Sequence, residues 1–181
     1  MTSSQESGDQ AQFNDYKTIE QTMEKLSDGA RRLAAQLTTT ANFESLWKVL
    51  TDYDRLNLYI PNLLKSKKIY KNKNNIHLKQ VGAQDFLGMK FSAEVLLDLY
   101  EEKEIGVIRF HLLKGDFRRF EGSWKIRSIN GTEQNSLIYD LTVKGCQWMP
   151  IGMIERRLKS DLSENLIAVD KQAKRSFSKV I

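Results

Sequence analysis

The residue types that most often bind metals or act as nucleophiles are scarce in this chain of 181 residues. The two histidines, His77 and His111, and the one cysteine, Cys146, are not spaced as zinc ligands are. The sequence contains no Gly-x-Ser-x-Gly elbow, no phosphate-binding glycine loop and no dinucleotide fingerprint. We therefore expect no bound metal and no cofactor, and nothing in the pattern requires an enzyme.

Four polar side chains stand inside predicted strands: Gln80, Glu94, Arg109 and His111. Because side chains alternate along a strand, Glu94 falls on the same outer face as Asp98. Arg109 and His111 fall opposite Ile108, which belongs to the inner face. These side chains are predicted to face solvent, so the pattern places no polar group at the floor of a pocket.

Aromatic side chains dominate the predicted inner face of the strands. They are Phe91, Phe110, Phe117, Trp124 and Tyr139. Such a stripe is usually packed core, but Gly122 and Ala93 leave space between the large side chains, which favours a pocket. The Tyr139 hydroxyl either binds the head group of a ligand or donates to a backbone carbonyl in the core. With Val95 and with Ile154, Leu158 and Leu162 downstream, these aromatic residues are the candidate ligand contacts.

The strands that would position these side chains follow one another along the chain. They are predicted at Arg32–Thr39, Leu63–Tyr70, Ile76–Gly82, Lys90–Tyr100, Ile105–Leu113, Phe120–Ser128 and Leu137–Lys144. Helical spacing at Phe43, Leu46 and Leu50 predicts a short helix after the first strand. A second short helix is expected at Asp54–Tyr59, ending before Pro61.

The segment from Ile151 to Phe177 is predicted to be one long amphipathic helix. Its apolar residues are Ile151, Ile154, Leu158, Leu162, Leu166, Val169, Ala173 and Phe177. At ~100° per residue they form a stripe roughly 140° wide. A helix of about 40 Å buries such a stripe only against another layer. We therefore predict an α+β fold, a curved antiparallel seven-stranded sheet wrapped around this helix, with a pocket between them.

Composition limits the protein's location and partners. The chain is 40% hydrophobic and has no apolar run near the ~20 residues that span a bilayer. A single cysteine excludes an internal disulfide, and the first residues lack a secretory signal, so we expect a cytoplasmic protein. The net charge of +5 permits an anionic partner, either RNA or a membrane surface, without arguing strongly for one.

The N-terminal segment differs in composition from the rest of the chain. Residues 1–30 are predicted to be an extension, and residues 31–178 a single domain. The start of the extension is rich in Ser, Gln and Asp and lacks hydrophobic periodicity, which indicates disorder. Apolar residues at helical spacing within Tyr16–Ser27 favour a short helix, with a mobile tail as the alternative.

Several local motifs support a family resemblance. They are Trp47–Tyr53 (WKVLTDY), Tyr59–Asn62 (YIPN), Gly115–Trp124 (GDFRRFEGSW), Met149–Glu155 (MPIGMIE) and Asp161–Leu166 (DLSENL). Their order and spacing over roughly residues 31–177 resemble the START/Bet v 1 superfamily, which has the helix-grip fold. Within it the chain is most similar to the polyketide-cyclase/dehydrase and lipid-transport group. That group includes the coenzyme-Q-binding proteins and similar proteins of cyanobacteria and plastids. The resemblance implies a cavity that holds an apolar ligand between the sheet and the long helix.

Two surface segments are candidates for contact with a membrane. A cluster of lysines surrounds the first hairpin, at Lys65, Lys67, Lys68, Lys71 and Lys73. It is either a solvated edge that discourages pairing with another sheet or a patch that binds anionic lipid or RNA. The connection before the long helix carries Trp148, Met149 and Pro150, which either staple the helix entry or form a gate. Arg118 and Arg119 are expected near the pocket mouth.

Three functions fit these observations. The first is non-enzymatic binding or transport of a hydrophobic small molecule such as a lipid, quinone, isoprenoid or pigment intermediate, by a monomer that meets membranes transiently. The second is an aromatase/cyclase-type enzyme, which needs an acid/base pair in the cavity, for example Tyr139 with Gln80 or with an arginine. The third is an RNA- or ribosome-associated module that uses the lysine cluster. The first agrees best with the absence of a catalytic motif.

Overall fold

The computed structural model describes residues 19–86, 89–146, 149 and 151–178. Within them the strands are β1 (Ile19–Lys25), β2 (Arg31–Thr39), β3 (Leu63–Asn72), β4 (Asn75–Phe86), β5 (Met89–Glu102), β6 (Val107–Gly115), β7 (Phe117–Ser128) and β8 (Asn135–Gly145). The helices are α1 (Phe43–Leu50) and α2 (Ile151–Ser178). Two 3-10 turns lie at Leu56–Leu58 and Lys103–Ile105.

All eight strands form one antiparallel sheet in the order β1-β2-β8-β7-β6-β5-β4-β3. Strands β3 to β8 pair in chain order, whereas β8 pairs back onto β2. Helix α1 and the first 3-10 turn occupy the long connection from β2 to β3, which lie near opposite ends of the sheet. The prediction of an α+β helix-grip fold is confirmed, with one strand more than the seven predicted.

The additional strand, β1, corrects the expectation of a short helix or tail over this part of the N-terminal extension. Residues Ile19–Lys25 pair with β2 along their whole length, from Ile19 opposite Leu37 to Lys25 opposite Arg31. Six of its seven residues are exposed, so the strand carries no buried alternation for sequence analysis to detect. Its stability comes from backbone hydrogen bonds to β2, which an isolated short helix lacks.

The connection between β2 and β3 contains one helix instead of two. Asn42 caps α1, because its side-chain oxygen accepts a hydrogen bond from the backbone N–H of Ser45 at 2.8 Å. The second helix, expected at Asp54–Tyr59, is only the 3-10 turn Leu56–Leu58 and has no side-chain cap. A segment this short, uncapped and followed by proline does not complete an α-helix.

Helix α2 lies across the concave side of the sheet. Its most deeply buried apolar side chains are Leu162, Leu166, Val169 and Ala173, each at most 2% exposed. Burying one leucine contributes about 1.5–3 kcal/mol, so this face alone holds the helix in place. Two polar links fix its rotation: Thr39 donates to the buried Asp170 carboxylate, and Arg31 pairs with Glu155. The helix contacts β2, β8 and α1.

Candidate ligand cavity between the sheet and the long helix

A cavity of about 290 Å³ lies between the sheet and the middle of α2. The sheet contributes Phe91, Val95, Phe117, Phe120, Trp124 and Tyr139 to its wall, together with smaller residues of β4 and β5. The helix contributes Leu158, Asp161, Leu162, Asn165 and Val169. The segment before β3 closes one side with Leu56, Ile60, Pro61, Asn62 and Leu63. Most of these side chains are apolar or aromatic, as is usual for sites that bind small molecules.

The cavity brings together seven of the nine side chains predicted as ligand contacts. These seven are Phe91, Val95, Phe117, Trp124, Tyr139, Leu158 and Leu162. The side chain of Ile154 lies outside the described part of the structure. Phe110 is described, and it does not line the cavity.

Phe110 lies in the packed core beside the cavity instead of at its wall. It is 6% exposed, and its ring packs against Phe120 and Tyr139 at centroid distances of 5.9 and 6.2 Å. Gly122 is its partner across the β6–β7 pair, and a Cβ at that position would lie 2.9 Å from the Phe110 ring. The space that Gly122 was expected to leave for a ligand is thus filled by the Phe110 ring.

Two stacked aromatic rings form a flat part of the cavity wall. Trp124 on β7 and Tyr139 on β8 are register partners, with ring centroids 4.0 Å apart and planes 6° from parallel. Tyr139 is 8% exposed, whereas Trp124 is only partly buried. Trp124 therefore borders open space on one side while Tyr139 supports it on the other.

Three polar side chains, those of Tyr139, Asp161 and Asn165, line this cavity. Asp161 and Asn165 lie one turn apart on α2, and both line the cavity with Tyr139. Burial, and then the nearby Asp161 carboxylate, raise the pKa of the Tyr139 phenol well above its ordinary value. Asn62 Nδ2 donates a hydrogen bond to Asp161 Oδ1 at 3.3 Å, from the opposite side of the cavity. Tyr139 is therefore a neutral hydrogen-bonding group at neutral pH.

A second polar group borders the cavity at Gln80. Its Nε2 lies 3.3 Å from the Ser66 hydroxyl, which in turn donates to the Tyr53 carbonyl at 2.6 Å. These bonds hold Gln80 against β3, so it is a fixed polar residue on a mostly apolar wall. Gln80 and Tyr139 both line the cavity, and the Asp161 carboxylate also contributes to raising the pKa of the Tyr139 phenol.

Sequence analysis missed Asp161, Asn165 and Asn62 as residues of the cavity. A usable signal existed in α2, because Asp161 and Asn165 fall within the same helical stripe as Leu158 and Leu162. Polar residues inside an apolar stripe indicate either a buried network or a ligand site. Asn62 carried no such signal, since its position depends on a backbone with a positive φ of 61°.

The polar strand residues other than Gln80 face outward, as predicted. Arg109 and His111 are exposed, and Arg109 pairs with Glu102. Both histidines approach one carboxylate: His77 and His111 each place Nε2 3.7 Å from Asp98. In the described residues no three His, Cys, Asp or Glu side chains are grouped to hold a metal ion.

The two surface candidates differ in how much of each the structure describes. All five lysines of the hairpin are exposed; Lys68 pairs with Asp54 and Lys71 with Glu101. In the connection before α2, Met149 is buried and lines the cavity, whereas Trp148 and Pro150 lie outside the described residues. Neither described helix has an apolar stretch long enough to cross a membrane.

The arginine pair on β7 has different surroundings at its two positions. Arg119 is bound to Glu121 at 2.5 Å and approaches Asp28 at 3.5 Å, so its charge is already balanced by acids of the protein. Arg118 is exposed. Arg119 therefore has less charge to offer an anionic surface than Arg118, and their position near the pocket mouth stays a prediction.

Comparison with known proteins is consistent with this geometry. Residues 39–170 match the family model described as polyketide cyclase / dehydrase and lipid transport. The chain belongs to this family. It also has the fold of the START superfamily, so the family resemblance drawn from the motifs is confirmed. No curated protein matches the chain.

Solved structures with the same fold include both binding proteins and enzymes. A STAR-related lipid transfer protein from Xanthomonas axonopodis has a TM-score of 0.75, with 13% identity over 88% of this chain and 96% of its own. The Zhui aromatase/cyclase from Streptomyces sp. R1128 has a TM-score of 0.68, with 16% identity over 81% and 94%. Human StAR-related lipid transfer protein 5 has a TM-score of 0.67, with 7% identity over 93% and 92%. At these identities the likeness concerns the fold alone.

Proposed function

We propose that this member of the polyketide cyclase/dehydrase and lipid transport family binds and transports a hydrophobic small molecule without chemically changing it. The observation that carries the proposal is the cavity between the sheet and α2, whose wall is mostly apolar and aromatic. Lipid transfer proteins are among the structures with this fold, which supports the same conclusion. A lipid, a quinone, an isoprenoid or a pigment intermediate belongs to the class of ligand that such a wall favours.

The cavity volume limits the size of the ligand. A volume of about 290 Å³ accommodates roughly ten groups of about 30 Å³ each. Burying about ten methylenes provides ~8 kcal/mol gross, against an association cost of ~4–15 kcal/mol. The ligand is therefore one chain or one small ring system, and its binding depends on a wall that is already formed before the ligand arrives.

Filling the cavity tests this proposal directly. Ala93 lines the cavity, so Ala93→Phe should weaken the binding of a neutral chain-like probe, 1-decanol, measured by calorimetry on the purified protein. Ala34→Phe is the matched control, because Ala34 lies opposite Asp140 on the outer face of the sheet. We expect the Ala93 variant to lose at least tenfold in probe affinity and the Ala34 variant to keep it. Equal affinities in the two variants would place the probe outside the cavity.

A second candidate function, an aromatase/cyclase-type activity, is favoured by one specific observation. A carboxylate and a phenol, Asp161 and Tyr139, lie near each other in one cavity, which is the combination that proton transfer requires. Such an enzyme would convert a poly-β-keto thioester into a cyclised aromatic product. Loss of product formation in Asp161→Asn with unchanged substrate binding would favour the enzyme over the carrier.

A further inference from the structure

The edge of the sheet at β3 carries an exposed surface that is both apolar and basic. The register of β3 against β4 shifts at Leu64 and again at Ile69, and both aliphatic residues are more than half exposed. Bulges on edge strands turn side chains away from the regular face of the sheet. Leu58, in the preceding 3-10 turn, is 69% exposed. Exposing three aliphatic side chains along one edge to water is unfavourable, and such patches often mark a surface that contacts another molecule.

Cations alternate with these aliphatic residues. Lys65, Lys67 and Lys73 are exposed and form no ion pair with any acid among the described residues. We define the β3 edge surface as Leu58, Leu64, Lys65, Lys67, Ile69 and Lys73. The chain between Leu58 and Leu64 contains Pro61, Asn62 and Leu63, which line the cavity. The β3 edge surface thus lies directly beside one side of the cavity.

We infer that the β3 edge surface docks on an anionic lipid bilayer. The aliphatic residues would enter the boundary between the lipid head groups and the acyl chains. Each lysine near the bilayer would strengthen binding, by about tenfold at most, through attraction to anionic head groups. Docking by this edge presents the Pro61–Leu63 side of the cavity to the membrane. A hydrophobic ligand would then pass between bilayer and protein with little exposure to water.

Vesicle sedimentation tests the docking inference. We expect the protein to sediment with vesicles of phosphatidylcholine and phosphatidylglycerol, and much less with phosphatidylcholine alone. Replacing Lys65, Lys67 and Lys73 by Gln, or Leu58 and Leu64 by Ser, should lower the bound fraction severalfold. Replacing the exposed Lys48, Lys114 and Lys159 by Gln is the matched charge control and should not. Binding to single-stranded RNA without binding to anionic vesicles would overturn the inference, as would equal loss in the control.

Discussion

At the scale of single residues, the cavity wall and the packed core differ in what surrounds each side chain. Trp124 has Tyr139 on one face and open cavity nearby, whereas Leu137 on the next strand is completely buried. Asn165 lines the cavity, whereas the buried carboxylate of Asp170 is bound by Thr39 and Lys174. Residues of the first kind are available to a ligand, and residues of the second kind hold the fold.

Truncating Trp124 should affect binding more than stability. A fully packed Trp→Ala change costs ~3–5 kcal/mol, but Trp124 is only partly buried, so Trp124→Ala should cost clearly less. Leu137→Ala is the comparison, and should cost ~2–5 kcal/mol because Leu137 is fully buried away from the cavity wall. Urea unfolding and 1-decanol affinity are measured for both. A large loss of stability with unchanged affinity in the Trp124 variant would show that Trp124 belongs to the packed core and not to the cavity wall.

The Thr39–Asp170 contact should stabilise the fold measurably. The Thr39 hydroxyl donates to a carboxylate that is 1% exposed, and a hydrogen bond to a charged group contributes about 1.5–3 kcal/mol. Thr39→Val keeps the shape but removes this donor and also the acceptor for the Ala41 N–H at 2.9 Å. It should therefore lower the free energy of unfolding by at least that amount. Thr38→Val, at the neighbouring position with its side chain on the other face, serves as the control. Equal unfolding free energies for the two variants would contradict this account.

At the scale of elements, burial pattern decides what the sequence reveals. The seven predicted strands are present because their apolar residues alternate and face one core; in β2, for example, Leu33, Ala35 and Leu37 are all buried. Strand β1 has no such pattern and depends on pairing with β2. Asp161 and Asn165 were missed because helical periodicity alone does not say whether a polar residue in the stripe meets solvent or a cavity.

Helix α1 should depend on its N-cap. Asn42→Ala removes the side-chain acceptor for the Ser45 N–H and should lower the free energy of unfolding by about 1 kcal/mol. Asn42→Asp keeps an acceptor and should be close to neutral. Thermal melts of the two variants check this, and a cost in the Asp variant as large as in the Ala variant would show that the cap does not act through this hydrogen bond.

At the scale of the whole molecule, the sheet, the long helix and the segment before β3 enclose one cavity with a mostly apolar wall. The family assignment and the fold followed from motif order and periodicity, because both depend on residues that are regularly spaced along the chain. The polar end of the cavity did not follow, because Asn62 and Asp161 are far apart in sequence and meet only through the tertiary fold.

A ligand that occupies this cavity should stabilise the whole domain. A compound that binds only the folded protein adds about 2.7 kcal/mol of stability at 100 times its dissociation constant. We therefore expect 1-decanol to raise the melting temperature of the native protein and to leave that of Ala93→Phe nearly unchanged. An equal rise in both proteins would indicate binding elsewhere on the surface.

Native mass spectrometry of the purified protein, followed by solvent extraction of any bound compound, tests the central claim most directly. We expect a discrete added mass that solvent releases as a hydrophobic molecule. Ala93→Phe should abolish this added mass, and Ala34→Phe should retain it. The same added mass in the Ala93 variant would contradict the account, because the bound molecule would then lie outside the cavity.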